Sequence, residues 1–485
     1  MVKRVIHKNY VLLIIAIAQF MVVLDSAIVN VALPSIYTSL GYTSESSLQW
    51  IVTAYTLAFG GFLLLGGRAA DLYGRKKVFL YAVALFTVMS FLCGVAQDST
   101  QLNAFRALQG LAAAFMSPAA LSIIITTFKE GKERAKALSV WGAVAAGGAA
   151  TGVLFGGILT QYLDWRWNFF INIPVGIAVF FAAYHYVPES KANLSHRKLD
   201  LPGAVSVTLG LIALVYAITQ APTKGWSDSS TIGFLVAAVA LLAFFIWNES
   251  RSKHALMPLS IFKVGNVAAA NIAQLPMMAA MFAMFFFVSI YVQTILGYSP
   301  VETGLSFLPV PIVIGVMSAI MSKVVGKIGY KKPMVVGPLF VAGALFYLSH
   351  ISVDGNYWTH VFPGLILMAI GMGMVFIAAT IAATAGVPHD KAGLASGIMN
   401  TSQQIGGALG LAILSGIATA GVTAYIAANA TEMATGGQHA IAAAQVSGFQ
   451  DALLVATFFP LITSIVAYLY VKHYHVDESD VAIPV

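Results

Sequence analysis

Fourteen apolar runs of roughly 20 residues, each long enough as a helix to cross about 30 Å of hydrocarbon, leave the chain few ways to fold. They begin near Tyr10, Leu48, Val78, Leu102, Ala137, Asn168, Leu201, Thr231, Asn266, Val301, Met334, His360, Gly393 and Ala452. Within a bilayer every backbone amide must find its partner inside its own segment or in a closed barrel, so runs of this length are predicted to be helices. The expected fold class is therefore an all-α polytopic membrane protein. Charge supports this: 9% of 485 residues are charged and 59% apolar, too few charges to cover a water-soluble surface.

The loops test the count. Alternate connections, starting from the N-terminus, collect Lys3, Arg4 and Lys8; Arg68, Arg75, Lys76 and Lys77; Lys129, Lys132, Arg134 and Lys136; Lys191, Arg197 and Lys198. The same side continues with Arg251, Lys253 and Lys263; Lys323, Lys327, Lys331 and Lys332; Lys391; and Lys472, leaving only Arg106, Arg166 and Lys224 of 26 basic residues elsewhere. The asymmetry predicts both termini in the cytoplasm, with the bilayer of the cell membrane as surroundings. Topology then accounts for the net charge of +7, and no nucleic-acid partner is implied. The basic N-terminus runs straight into the first apolar segment without a small-residue cleavage site, so no removed signal peptide is expected. One cysteine, Cys93, rules out an intrachain disulfide and a cysteine-based metal site.

A repeat organises the chain. Gly74, Lys76 and Lys77 follow the second run with the same spacing as Gly329, Lys331 and Lys332 after the tenth. Runs eight apart are matched by two six-helix halves with two helices inserted between them, 6+2+6. The boundaries this predicts are 1–190 for the first half, 191–264 for helices 7 and 8 with their flanking loops, 265–473 for the second half and 474–485 for a cytoplasmic tail. Two like halves related by an axis along the membrane normal, with a site between them near the midplane, form a transporter plan.

Into the first run, Phe20 to Pro34, the sequence sets a carboxylate, Asp25. It is the one acid of nineteen expected deep in the bilayer, where charge is costly and usually functional. It lies about 14 residues into its helix, roughly 21 Å along it. A carboxyl poised between desolvation and a nearby cation is suited to take and release a proton. Arg106 enters the fourth helix at comparable depth and is the expected partner, directly or through water, although an arginine near an interface also snorkels to headgroups. Gln109 shares its face.

The motifs around these residues resemble those of the major facilitator superfamily. Gly67 to Lys77 resembles its loop signature between helices 2 and 3, with Ala69 where leucine is usual. Leu24 to Pro34 is similar to the first-helix signature of the fourteen-helix drug:proton antiporter family, and Leu102 to Gly110 to the fourth-helix signature, whose arginine is implicated in proton transfer. Gly148 to Gly157 resembles the fifth-helix antiporter signature, with Val153 in place of proline; Trp165 to Pro174 is also similar to that branch. The resemblance implies the major facilitator fold. It also implies that Asp71 and Arg75, with Gly67, Gly74 and Lys76, form a cytoplasmic latch stabilising an outward-open state; a purely topogenic basic loop is the alternative.

Other positions have two readings each. Gly148, Gly152 and Gly156, with Gly157, line one helix face with hydrogen and permit a close backbone approach. That contact is either packing or a hinge between the halves. Ser396, Asn400, Gln403, Gln404 and Gly407 make a polar and small stripe on helix 13, lining the cavity or bonding between helices. Asn30, Tyr55, Asn271 and Gln274 are further candidates for the lining.

The function expected is a proton-coupled secondary transporter exporting an amphipathic compound. One membrane carboxylate balances at most one unit of substrate charge, so neutral or monocationic substrates are favoured. The same scaffold would also serve an importer or exporter of a specific metabolite. No cofactor or metal is expected, a proton gradient supplies the drive, and the monomer is the expected unit. Membrane-embedded enzymes and nucleotide-driven pumps are disfavoured: the ten histidines fall in loops, tails or helix ends, and the sequence has no Gly-x-Ser-x-Gly, His-x-x-x-His or phosphate-loop motif.

Overall fold

The computed structural model describes residues 8–129, 132–191, 199–252 and 254–472. Lys3, Arg4, Arg197, Lys198, Lys253 and the tail 474–485 lie outside the described residues. The described chain contains 14 helices of spanning length. They are α1 (Lys8–Ser39), α2 (Glu45–Tyr73), α3 (Arg75–Val95), α4 (Ser99–Thr127), α5 (Lys132–Tyr162), α6 (Trp167–Tyr186) and α7 (Leu201–Lys224). The series continues with α8 (Ser229–Arg251), α9 (Val267–Thr294), α10 (Pro300–Ile328), α11 (Lys331–Leu348), α12 (Tyr357–Thr384), α13 (His389–Ala428) and α14 (Gly437–Tyr470). An even number of spans brings Lys8 and Lys472 to one face, the basic face; the opposite one is the far face.

Helix ends follow local chemistry. Asp98 caps α4 by accepting from Gln101 N at 2.8 Å, and Asp228 caps α8 through Ser230 N at 2.9 Å. The Ser230 hydroxyl and the first-turn amides hold the Asp228 carboxyl below the usual carboxylate range. Single-residue turns interrupt α2 at Gln49, α6 at Ile171, α10 at Leu308 and α14 at Thr457. Those breaks fall in pairs eight spans apart, so the repeat read from the loops extends into backbone geometry.

Within each group of six, small residues let helices cross closely. A Cβ on Gly110 of α4 would lie 2.2 Å from the Tyr55 carbonyl oxygen of α2, and one on Gly371 of α12 would lie 2.5 Å from the Gly337 carbonyl oxygen of α11. The inserted pair, α7 and α8, forms a hairpin whose α7 packs against α2 and α13. Between the two groups, contact is made by α2 with α13 and by α5 with α10. The far face is closed: Ser289 Oγ of α9 donates to the Asn30 carbonyl at 2.8 Å, and Gln293 Nε2 to that of Val31 at 3.0 Å. A Cβ on Gly157 of α5 would lie 2.3 Å from the Pro300 carbonyl oxygen of α10.

Two expectations need correction. The last span begins at Gly437 and not near Ala452, because an Ala-rich stretch too polar to read as lipid-embedded still has high helix propensity. With α13 at 40 residues, about 60 Å at 1.5 Å per residue, these helices outrun the hydrocarbon. Second, Gly148, Gly152 and Gly156 do not form a hinge between the halves. They face Val23, Ala27 and Ile28 of α1, inside their own group of six, and only Gly157 meets the second group. A four-residue repeat selects one helix face, and Gly157 sits one position off it.

Candidate functional site

Five spans converge on Asp25. Its Oδ2 lies 2.6 Å from Arg106 Nη1, and its Oδ1 accepts from Gln109 Nε2 at 2.9 Å and Asn172 Nδ2 at 3.0 Å. Asp25 and Arg106 are 0% and 1% exposed. The guanidinium makes further contacts: Nε donates to the Ile51 carbonyl at 3.1 Å and Nη1 to Gln109 Oε1 at 2.7 Å, while Cζ sits 4.3 Å from the centre of the Tyr55 ring. Cation–π contact with Tyr55 and charge-assisted bonds together offset the removal of both ions from water.

Ser90 of α3 completes the arrangement. Its hydroxyl donates to the Phe169 carbonyl at 2.9 Å and accepts from Gln109 Nε2 at 3.2 Å and Asn172 Nδ2 at 3.1 Å. Both hydrogens of each amide are thus used, one on Asp25 and one on Ser90. The result is a closed polar network in which Asp25 has three donors, an arrangement fitted to the ionised carboxylate.

The carboxylate points into the first six spans and not toward the interface between the groups. This differs from a site between the halves, and the reason is local: all its donors sit on α4 and α6. Neighbouring Ser26 is exposed and Asn30 half-buried, so α1 presents its open face one residue from the acid. Asn30 Nδ2 bonds back to the Ser26 carbonyl of its own helix at 3.2 Å.

The remaining sequence candidates scatter. Tyr55 joins the site as a stacking partner. Gln274 is 1% exposed, with neither amide atom partnered among the described residues. Asn271 Oδ1 accepts from Ser402 Oγ at 2.8 Å, away from Asp25. Asn400 is exposed, Gln403 half-buried, and the Cβ of Gln404 packs on Gly60 of α2. Sequence reasoning assigned no role to Asn172 and Ser90. Their signal was faint, an Asn and a Ser inside apolar spans.

In the loop between α2 and α3, Arg75 Nη2 meets Asp71 Oδ1 at 2.8 Å, and Asp71 also accepts from Ser122 Oγ of α4 at 3.4 Å. Gly74 has φ 112°, a conformation L side chains avoid. Lys76 Nζ donates to the Tyr184 carbonyl at 2.7 Å, and Gly67 stands 3.5 Å, measured from an ideal Cβ, from Pro118. Glu189, beyond α6, accepts from the Lys76 and Lys77 amides at 3.2 and 3.1 Å and so caps α3.

A repeated six-span bundle with an inserted hairpin and a buried acid–arginine pair has the plan of a membrane transporter. A family model described as Major Facilitator Superfamily matches residues 15–411. Puromycin resistance protein pur8 of Streptomyces alboniger is 39% identical over 467 residues, covering 95% of this chain and 90% of that protein. Cephamycin export protein CmcT of Amycolatopsis lactamdurans is 37% identical, covering 85% and 86% respectively. Multidrug resistance protein Stp of Mycobacterium tuberculosis is 35% identical, covering 84% and 75%. Among solved structures, an inward-facing, unoccupied bacterial homolog of the human lysosomal transporter Spinster superposes with TM-score 0.68 at 18% identity, covering 96% of both chains. The chain belongs to the major facilitator superfamily. It is a multi-pass membrane transporter of small molecules and not an enzyme, and the resemblance to the fourteen-helix drug:proton antiporter family holds.

Proposed function

We propose that the protein exports amphipathic, neutral or monocationic compounds in exchange for protons, by alternating access across the cell membrane, with both termini in the cytoplasm. The observation that carries this reading is the fully buried Asp25–Arg106 pair. Relatives whose names record antibiotic resistance and export favour the outward direction. No cofactor is required, and the monomer contains the whole proposed path. Residues 1–190 and 265–473 act as the rocking halves, with 191–264 inserted.

Asp25 is the proton carrier in this scheme. Protonation removes its attraction for Arg106 and releases an acceptor bonded to three donors. Each bond to a charged group is worth about 1.5–3 kcal/mol, enough to shift a two-state equilibrium tenfold or more. Gln109 and the Ile51 carbonyl continue to hold the guanidinium while the acid is neutral. In this scheme the arrangement with the far face closed is the cytoplasm-facing state, and the Asp71–Arg75 latch serves the opposite one.

Inverted membrane vesicles loaded with a pH-sensitive dye test the reading. Adding a neutral or monocationic toxic compound to an energised vesicle should release protons, and Asp25→Asn should abolish the release at equal membrane abundance. Proton release by Asp25→Asn at the wild-type rate would overturn the role of Asp25. Uptake running with the proton, detected by counterflow, would point to a metabolite importer instead.

A further inference from the structure

On α5 the four-residue ridge that carries Gly148, Gly152 and Gly156 continues toward the basic face through Val144, Val140 and Lys136. The glycines bring α1 into contact: a Cβ on Gly152 would lie 2.7 Å from that of Ala27, and one on Gly156 would lie 2.7 Å from the Ile28 carbonyl oxygen. Where valine takes the place of glycine the two helices are held apart, and a groove of about 500 Å³ opens between them. Leu13, Ile17 and Phe20 of α1 line one wall, Val140 and Val144 of α5 the other, and Lys136 stands at the mouth.

The groove has the depth of one leaflet. From Asn9 to Phe20 it follows roughly 16 Å of α1, about half the 30 Å of hydrocarbon. Leu13 and Ile17 are 56% and 37% exposed. Ile17 lies nearly opposite Gln19 on the helix, and Gln19 accepts from Ser117 Oγ of α4 at 3.0 Å, so the exposed side is the one turned away from α4. Tyr10, on that side, packs on Tyr186 of α6 with ring centres 5.4 Å apart. At the mouth, Glu133 is taken up by Lys8 at 2.7 Å, whereas Lys136 is exposed and has no hydrogen-bond or ion-pair partner among the described residues. Asn9 offers a second donor beside it.

We infer that the groove holds one acyl chain of an anionic phospholipid from the leaflet at the basic face, with the phosphate on Lys136 and Asn9. Both ends of the slot require it. Apolar walls of this length favour a hydrocarbon chain over water, and an unbalanced ammonium at the interface attracts a lipid of net negative charge. A soluble anion would satisfy the lysine and leave the walls wet; a neutral lipid would cover the walls and leave the lysine unbalanced. The site is independent of the direction and the coupling of transport.

The probe is phosphatidylglycerol with a diazirine on one acyl chain, a minor component of phosphatidylcholine nanodiscs that hold the purified full chain. After photolysis, peptide mass spectrometry should find adducts concentrated on residues 12–20 and 140–144. Unlabelled phosphatidylglycerol should compete them away. Phosphatidylcholine with the same chains, whose choline cation offsets its phosphate, should not, and neither should inorganic phosphate. Lys136→Gln should weaken the competition about fivefold, the contribution of one lysine near an anionic surface, and Lys136→Arg should keep it. Val144→Phe, or Val140→Trp should the first fold poorly, should fill the slot and remove these adducts while sparing those on the exposed side of α8. Labelling spread over the spans in proportion to exposure, equal competition by phosphatidylcholine, or adducts unchanged by Lys136→Gln or by filling the slot would each overturn the site. Displacement by inorganic phosphate would assign Lys136 to a soluble anion and overturn the lipid as occupant.

Discussion

Tyr330 stands in the second repeat where Arg75 stands in the first, and each ties its loop to the chain leaving the sixth helix of its own group. Arg75 N donates to the Ser190 carbonyl at 2.9 Å and its Nη1 to Ser190 Oγ at 3.4 Å; Tyr330 Oη donates to the Lys472 carbonyl at 2.8 Å. Both follow a glycine of positive φ, 112° at Gly74 and 76° at Gly329. Different side chains thus do the same mechanical work. Only the first loop adds an acid, Asp71, so the charge asymmetry visible in sequence is laid over a symmetric clasp.

Removing the second clasp should be mild. Tyr330→Phe deletes the hydroxyl's bond to the Lys472 carbonyl and the longer one it accepts from Asn266 Nδ2 at 3.3 Å, while Asn266 still pairs with Lys472 through both amide groups at 2.8 Å. A loss of about 1 kcal/mol is expected. The checks are a modest fall in the thermal midpoint of the detergent-purified protein and transport close to wild type.

The first clasp should be costlier to break, because Glu189 accepts three backbone amides, those of Lys76, Lys77 and Ser190. Two of them are free amides of the first turn of α3, where a negative charge also meets the positive end of the helix dipole. Glu189→Ala should cost about 1–2 kcal/mol, and Glu189→Gln, which keeps one acceptor, should fall between. Equal thermal midpoints for the three proteins would contradict the cap.

Asp25 and Arg106 predict a non-additive pair. Arg106→Gln leaves a buried carboxylate without its cation, a change worth about 3–5 kcal/mol. Adding Asp25→Asn removes the orphaned charge and should recover most of that loss, without restoring proton-driven transport. Thermal midpoints of the two single variants and the double complete the cycle. An additive result would mean that the two charges do not interact.

How much of this was legible before the structure follows from which forces act along the chain and which act across it. Lipid imposes length and polarity on every span, so the fourteen runs and the basic face were readable, and the one late start, at α14, fell where the helix leaves hydrocarbon. Asp25, Arg106 and Gln109 were readable as well, because an ion in an apolar run and a three-residue spacing are local facts. Asn172 and Ser90 were not. Their approach to Asp25 depends on how α3 and α6 pack against α1, which no spacing within either helix encodes. Likewise the glycines of α5 announced a close contact without naming α1 as the partner, and Asn271 announced a polar group without naming Ser402 of α13 as the one it meets.

At the basic face, Lys8 and Glu133 meet at 2.7 Å with both side chains more than a third exposed. The Lys8 ammonium and the Lys129 amide hold the Glu133 carboxyl below the ordinary glutamate range. A lowered carboxyl supplies stability that is present above its unfolded value and lost as pH falls through the folded one. Exposure and salt make the amount small. Glu133→Gln should therefore lower the thermal midpoint slightly at pH 7 and flatten the acid-side decline by the same small amount, the two proteins converging in acid.

The far-face seal offers a sharper test, since backbone and not a flexible side chain stands opposite Gly157. A Cβ there would sit 2.3 Å from the Pro300 carbonyl oxygen, closer than real Cβ contacts allow. On the facing helix, a Cβ on Gly304 would likewise come within 2.4 Å of the Val153 carbonyl oxygen. Gly157→Val must therefore separate α5 from α10 and disfavour the closed far face. The sole native thiol, Cys93, is buried, so a cysteine introduced at Gln293, beside the α1–α9 seal, can be labelled with little background. In otherwise native protein, a membrane-impermeant maleimide added from outside should react slowly with Gln293→Cys; with Gly157→Val added, the rate should rise at least about tenfold, which corresponds to 1.4 kcal/mol of shifted equilibrium. On the proposed alternating-access cycle transport should fall, because a seal that cannot close removes one of its two states. Equal labelling rates with and without the valine would show that the α5–α10 contact does not control access to the far side.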